Sequence, residues 1–334
     1  MASPTRIVAE IDLDAPGRTL GWLSLPHSVT RSAYGEIRIP IACLAGGRGP
    51  TLLLMAGNHG DEYEGQIALL KLIRELDPAT LAGRVIVLPA ANLPAALAGT
   101  RVSPIDGGNM NRCFGGDPER GPTWAIAHYI ETRLFPLADQ FCDLHSGGSS
   151  LDYLPFASVH QGSDPALDAR CLAALKAFAA PLSIIWKLAE DARYSPAAAM
   201  RQGVPALGGE FGGCGRVSRP ALAMLEAGLG RLLAHLGIAA GAGVAAAGPV
   251  RLMAVPGNDW MVYAPAPGLF EPAVALGDTV AAGELAGQVH FVDDPGRPPV
   301  PVRFREGGLV VCQRHFGRVE RGDCVAHLAV DDDG

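Results

Sequence analysis

His59 and Glu62 stand three residues apart in the segment Gly57-Asn58-His59-Gly60-Asp61-Glu62-Tyr63-Glu64-Gly65. An imidazole and a carboxylate at that spacing, placed on a turn, can converge on one metal ion. Catalytic zinc sites commonly take three protein ligands, often two histidines and a carboxylate, and leave the fourth position to water. The third ligand must then come from elsewhere in the chain. His145 is the candidate: in Phe141-Cys142-Asp143-Leu144-His145-Ser146-Gly147-Gly148 it again ends a short apolar run and is followed by glycines. Asp143, two residues earlier, shares a strand face with His145. It can reach the same site or orient a ligand by hydrogen bonding. Glu210 ends a third apolar run that starts at Val204 and is likewise flanked by glycines, at 208, 209, 212 and 213. Arg101, Asp106, Asn109, Asn111 and Arg112 crowd a glycine-rich segment, 98–116. A loop of that length inside a compact domain is usually functional or disordered, and its charged and amide side chains favour function.

The elements that must position these groups can be read from apolar spacing. Thr51 to Ala56 reads as a buried strand and 65–76 as a helix, so His59 falls just past a strand and Glu62 near a helix's first turn. Glycines at 57, 60 and 65 predict a sharply bent backbone between them. Strand-like runs cover 6–13, 19–25, 36–44 and 84–89, with a turn at Gly46 to Pro50. Strand, helix, strand in succession predicts a crossover unit and a largely parallel sheet. Pro122 opens a helix reaching about Leu134, 164–179 is an amphipathic helix, and Ser195-Pro196 and Ser218 with Pro220 mark two further helix starts. In open α/β sheets ligands bind outside the carboxyl edge of the strands. His59 with Glu62, His145, Glu210 and the 98–116 segment all follow strands, and this convergence carries more weight than any one residue. From Val250 onward short apolar runs alternate with dense turn signals, which predicts a small all-β module. The expected domains are a catalytic unit over 1–240 and a β module over 249–330, with the Ala/Gly stretch 239–248 as the boundary.

Composition narrows the function classes. The chain has 334 residues, 49% of them apolar and 18% charged, as an ordinary globular protein does. Its net charge is −7 and no basic block is present, so nucleic acid is not an expected partner. The seven cysteines are odd in number and never form Cys-x-x-Cys, which argues against a disulfide framework or a cysteine zinc site and for a reducing cytoplasm. The N-terminus lacks a signal peptide's basic start and apolar middle. Leu232 to Val250 carries no acid or base except His235, yet its second half is Ala and Gly and ends at Pro249. A helix running into a linker accounts for it better than a membrane span.

Taken together, Gly57 to Glu62, Asn109-Met110-Asn111-Arg112, Asp143-Leu144-His145-Ser146-Gly147 and Glu210 resemble the succinylglutamate desuccinylase/aspartoacylase family, over roughly residues 40–330. The resemblance implies an α/β fold: a zinc-carboxypeptidase-like mixed sheet flanked by helices, followed by a small all-β barrel-like domain. It implies Zn2+ held by His59, Glu62 and His145, with Glu210 as general base. Asn111 and Arg112 would bind the substrate carboxylate, and Arg101 would help polarise the scissile carbonyl. Asn58 to Gly65, Ser103 to Asn109 and Leu151 to Phe156 further resemble those family members that deacetylate N-alpha-acetyl-L-2,4-diaminobutyrate in ectoine breakdown. The implied partner is therefore a small-molecule N-acyl amino acid. Phe211 stands after Glu210 where the resemblance leads one to expect leucine, and a ring there would reshape the pocket. The terminal module resembles a biotinyl/lipoyl-like barrel through Gly277-Asp278-x-Val280 and Gly283, but no lysine lies in 250–334, so it is not a lysine-linked carrier.

The implied reaction is hydrolysis of an acyl, expectedly acetyl, amide. Two alternatives stay open at this level: a zinc carboxypeptidase acting on peptides, which needs an open groove, and an inactive binding protein of the same fold. Each residue also has a plainer role available. His59 and His145 could be packed histidines, Glu210 a capping carboxylate, and Arg112 a partner of Asp106 or Asp117. Tyr63, Trp124 and Tyr153 fit a core, and His128 a structural place on its helix. The acyl group, the amino acid, the cellular metal and any homo-oligomer are left open.

Overall fold

The computed structural model of the chain describes residues 5–188, 191–240 and 248–332. The first part runs β1 (Val8–Glu10), β2 (Gly17–Pro26), β3 (Glu36–Ala45), β4 (Thr51–Ala56), α1 (Tyr63–Glu75), β5 (Arg84–Leu88), α2 (Leu93–Ala98) and α3 (Pro122–Tyr129). It continues through β6 (Gln140–His145), β7 (Leu151–Tyr153), β8 (Phe156–His160), α4 (Pro165–Phe178), β9 (Leu182–Trp186), α5 (Ser195–Arg201), β10 (Ala206–Glu210) and α6 (Arg219–His235). The remainder is β11 (Arg251–Val255), β12 (Met261–Tyr263), β13 (Gly268–Pro272), β14 (Thr279–Val280), β15 (Leu285–His290), β16 (Val300–Arg303), β17 (Gly308–Arg314), β18 (Arg318–Val319) and β19 (Cys324–Asp331).

One large mixed sheet has the order β1-β2-β3-β5-β4-β6-β10-β8-β9-β11-β19-β17-β14. Its centre is parallel: β4 lies between β5 and β6, and β10 pairs with β6. The flanks are not parallel, since β1 to β3 form a meander and β8 runs opposite to β10. Period-two alternation on the central strands sorts the core into two layers. Leu52, Leu54, Cys142, Leu144 and Leu207 pack under α1, α4 and α6, with Leu69, Leu175, Phe178 and Leu229. Leu53, Met55, Phe141 and Ala206 face the opposite layer, with Ile126, Ile130, Phe135 and Ala198 of α3, its continuation and α5. Asp143 and His145 alternate with Cys142 and Leu144, so they point to this second layer. The chain goes from β4 outward to β5 and returns on β4's other side as β6, so order reverses at β4. That reversal opens a crevice at the strands' carboxyl ends.

Beyond residue 250 the strands do two things. β11 joins the large sheet parallel to β9, and β19 continues it antiparallel to β11. Separately, β16-β15-β13-β18 form a four-stranded antiparallel sheet, which shares a core with Phe270, Val289, Val302, Phe304, Val325 and Leu328. The terminal segment thus has its own core and is also stitched to the main sheet. Of the Ala/Gly stretch expected as a boundary, 241–247 lie outside the described residues. Among the described residues no helix is long and apolar enough to cross a membrane, and the cysteines are all free thiols.

Candidate metal centre and its cavity

Gly57 (φ +66°) turns the chain off β4 in the left-handed region that suits glycine. Gly60 and Gly65 serve a different purpose from the bend expected of them. A side chain on Gly60 would collide with the Ala95 backbone of α2, and one on Gly65 would meet Leu144 Cβ and O at 2.8 Å. They let α2 and α1 approach closely. Glu62 is the residue before α1, and the Gln66 amide donates back to its carbonyl at 2.8 Å. His145 and Glu210 are the last residues of β6 and β10 and lie directly opposite each other in register.

His59, Glu62 and His145 offer ligand atoms that all lie within 4.8 Å of one another, the only such group of three among the described residues. His59 Nδ1 is 2.6 Å from Glu62 Oε1, and His145 Nδ1 is 2.8 Å from Glu62 Oε2. Both outer ring nitrogens are already spoken for. His59 Nε2 meets Asn109 Oδ1 at 3.0 Å, and His145 Nε2 meets Asp143 Oδ2 at 2.9 Å. An imidazole that donates through Nε2 carries its lone pair on Nδ1 when neutral. Lone pairs aimed at carboxylate oxygens at these distances repel unless a proton or cation lies between them. The donor set therefore fits a divalent metal of zinc's preferences, with acceptors beyond it that fix the ring tautomers.

Charges in this cluster lean on one another. Burial alone would push the Glu62 carboxyl up, but the two imidazoles outweigh it and hold Glu62 well below the usual carboxylate range. Burial keeps His59 below its ordinary value against the pull of Glu62. Burial acts the same way on His145, yet Asp143 and Glu62 overcome it and raise that imidazole well above its ordinary value. Glu210 is pushed up to about 8, first by burial and then by the Glu62 carboxylate. A dication held by His59, Glu62 and His145 would act oppositely and favour the ionised form of Glu210. Glu210 Oε2 is buried without a hydrogen-bond partner.

Asp143 is the hub behind His145. Its Oδ2 accepts from Asn58 Nδ2 at 2.8 Å, from the Ser195 hydroxyl and from His145 Nε2. Ser195 N in turn donates to Asn111 Oδ1 at 2.9 Å, tying the Asn111-Arg112 segment to the start of α5. That bond uses Asn111's oxygen and leaves its amide nitrogen for a ligand. Arg112 stacks over Tyr194, its guanidinium carbon 4.1 Å from the ring centre, and lies 3.9 Å from Asp191. Neither aspartate weighed as its partner is available. Asp106 accepts from Thr123 N and Oγ1, and Asp117 caps a turn at Glu119. Arg101 Nη1 is 3.4 Å from Glu62 Oε1, with its side chain 46% exposed. Asp61 accepts from Ser149 N at 2.8 Å, and Glu64 from Ser218 N at 2.8 Å, clamping the turn to the loops after β6 and β10.

The seven expected site residues open onto one cavity of about 400 Å³, whereas Asp106 and Asn109 of the 98–116 segment are not part of its lining. It is lined by His59, Glu62, His145, Glu210, Arg101, Asn111 and Arg112. The same cavity is also lined by Tyr153, Ser158, His160, Trp186 and Tyr194, none of which stood out as a site residue beforehand. Tyr153, expected in a core, packs on Phe156 and also faces this cavity. Ser195-Pro196 carried a helix-start signal, and Asn58 adjoins His59, but nothing local marks their shared contact with Asp143. Phe211 corrects an expectation. It is fully buried, its ring 5.9 Å from Phe178 in the layer under α4 and α6, because residues after Glu210 alternate away from the cavity. Its ring therefore does not shape the pocket. Trp124 packs beneath Arg120, and His128 Nε2 is buried outside the cavity lining.

Comparison with known proteins agrees with this geometry. Residues 48–236 match the succinylglutamate desuccinylase/aspartoacylase catalytic domain. An N-alpha-acetyl-L-2,4-diaminobutyric acid deacetylase of Halomonas elongata is 40% identical over 327 residues, 98% of this chain and 95% of that one. The product-bound structure of the ectoine utilization protein EutE (DoeB) from Ruegeria pomeroyi superposes with a TM-score of 0.93 at 41% identity, covering 98% and 100% of the two chains. A succinylglutamate desuccinylase/aspartoacylase from Rhodobacter sphaeroides gives 0.91 at 41% identity, covering 99% and 100%.

Proposed function

From the premise that this chain belongs to the succinylglutamate desuccinylase/aspartoacylase family, we propose that it is a zinc-dependent amidohydrolase that removes the acetyl group from N-alpha-acetyl-L-2,4-diaminobutyrate. The single observation carrying this reading is the meeting of His59, Glu62 and His145 Nδ1 and carboxylate atoms with the unpartnered Glu210 carboxylate in one cavity. The chemistry of the Halomonas elongata relative supports the choice of substrate.

When bound, zinc supplies Lewis acidity: it polarises an amide carbonyl and makes water a competent nucleophile at neutral pH. The remaining work falls to the chain. Glu210 Oε2 accepts the proton of the attacking water and returns it to the departing amine. Water adds to the acyl carbon and the carbon–nitrogen bond breaks, giving acetate and the free diamino acid. Arg101, beside Glu62 and half exposed, faces the place where the oxyanion develops. Arg112, held flat against Tyr194, offers its planar fork to the α-carboxylate, and Asn111, which lines the same cavity, assists it. Asn109 and Asp143 hold the two imidazoles in the Nδ1 lone-pair tautomer.

Metal analysis with hydrolysis assays tests this. About one zinc per chain is expected from its three-ligand site, with amine released from N-acetyl diamino acids, little from peptides, and loss of turnover on chelation. Hydrolysis indifferent to chelation would remove the metal from the account. Preferential cleavage of C-terminal peptide bonds would replace the deacetylase by a carboxypeptidase, and ligand binding without turnover would leave a binding protein.

A further inference from the structure

Below the row formed by His145 and Glu210, the same sheet face carries two polar atoms that the proposed hydrolysis does not employ, Asp143 Oδ1 and Ser158 Oγ. Asp143 on β6, Gly208 on β10 and Ser158 on β8 lie side by side in register. Gly208 puts no side chain between its neighbours: a carbon built there would crowd Asp143 O at 3.1 Å and lie 4.0 Å from Ser158 Oγ. Asp143 is only 1% exposed, lines the cavity, and spends all three of its hydrogen bonds on Oδ2. Its Oδ1 is buried with no partner. No lysine or arginine pairs with it among the described residues. A carboxylate oxygen in that state has lost its water without gaining a donor, a cost that a cationic ligand would offset.

The next row down supplies a wall. His160 stacks on Trp186 (6.1 Å, 19° between planes) and abuts Tyr194 at 6.3 Å. Burial holds the His160 imidazole down to about 4, so it adds no positive charge at neutral pH. Tyr194 is the ring that Arg112 stacks on. The wall therefore adjoins Arg112, the residue proposed to take the amino acid's carboxylate. Spacing selects the chain length. Two residues along a strand span about 6.6 Å, and the five bonds from a scissile carbonyl carbon to a 4-amino group reach about 6 Å.

We propose that Asp143 Oδ1 and Ser158 Oγ form a subsite for the side-chain ammonium of the substrate's amino-acid half, walled by His160, Trp186 and Tyr194. This rests on the hydrolase reading and names how that site selects a short diamino acid. Aromatic faces suit an ammonium, and a carboxylate with a hydroxyl gives it two acceptors.

The test compares N-acetyl-2,4-diaminobutyrate with N-acetyl-2-aminobutyrate, which lacks only the second amine, in wild type, Asp143→Asn and Ser158→Ala. The readout is the ratio of the two kcat/KM values. Damage to the metal centre slows both substrates and cancels in the ratio, so a merely structural role leaves it unmoved. We expect wild type to favour the diamino substrate by at least about 30-fold, the ratio to fall about tenfold or more in Asp143→Asn, and to fall a few-fold in Ser158→Ala, as charge-assisted hydrogen bonds require. Calorimetry with free 2,4-diaminobutyrate against 2-aminobutyrate should show the same preference and the same loss in both variants. An unchanged ratio in both variants, or equal binding of the two amino acids by wild type, overturns the subsite. If neither acetylated substrate is hydrolysed the hydrolase reading fails, and calorimetry alone still decides whether the ammonium is recognised.

Discussion

Glu210 and His145 are neighbours across two hydrogen-bonded strands, so the proposed proton acceptor and a candidate metal ligand are held at fixed separation by backbone pairing. Side-chain packing then tunes them. Burial raises Glu210 and leaves Oε2 free, while Asp143, Asn109 and the Glu62 carboxylate settle the ring tautomers. Glu210→Gln keeps the shape and the ligand set but removes the acceptor of the water's proton. The variant is expected to bind metal as wild type does and to lose about 10²- to 10⁴-fold in kcat, the usual worth of general base catalysis. Turnover at the wild-type level, measured by amine release, would take Glu210 out of that role. His145→Ala is expected to lower metal content measured on the purified protein, because one of the three ligand atoms is gone; full occupancy would count against it as a ligand.

At the scale of elements, α1 reaches the site by packing its Gly65 directly on Leu144 of β6. Gly65 faces Leu144 and Ala56 with no room for a methyl group, and Glu64 is buried against the start of α6. Gly65→Ala should therefore lift α1 from the sheet and cost about 1–3 kcal/mol by overpacking, despite alanine's better helix propensity. Because Glu62 precedes α1 and His145 follows Leu144, the same shift separates the ligands. The expected result is a lower Tm together with weaker metal retention under chelator. A Tm raised by the substitution would show that the contact is slack. The helix-start signal at Ser195-Pro196 has a comparable double use, since Ser195 begins α5 and also holds Asp143.

On the scale of the whole molecule, the terminal segment is part of the cavity's support. β7 pairs with β17, and Tyr153 and Trp186 pack their rings on His327 of β19 at 5.2 and 5.6 Å. His327 is 3% exposed, and burial pushes its imidazole down to about 3. A base whose folded value lies below its unfolded one keeps the fold stable above the unfolded value, near 6.5. It withdraws that stability as pH falls toward the folded value, because only the unfolded chain takes up the proton. Between pH 7 and pH 5 this residue should cost about 2 kcal/mol of unfolding free energy. Denaturant titrations at both pH values check it: His327→Phe should shrink the loss seen in wild type by about that amount. An equal loss in the two proteins would mean that His327 is protonated in the folded state.

Local chemistry was legible in the chain itself. His59-x-x-Glu62, Asp143-x-His145 and Glu210 announce themselves because apolar runs ending in glycine-flanked polar residues mark strand ends, and strand ends are where α/β sheets bind ligands. The β4-to-α1 unit, the start of α6 and the all-β tail followed from spacing, caps and turns for the same reason: each is a property of neighbours along the chain. Membership of the family was legible too, through the order of the motifs. Which residues meet was decided only by the sheet. Register places Asp143 beside Gly208 and Ser158, strand alternation turns Phe211 away from the cavity, and the order β6-β10-β8-β9 gathers His160 and Trp186 from distant segments. Such contacts depend on pairing between strands remote in sequence, and no local signal encodes a partner that lies tens of residues away.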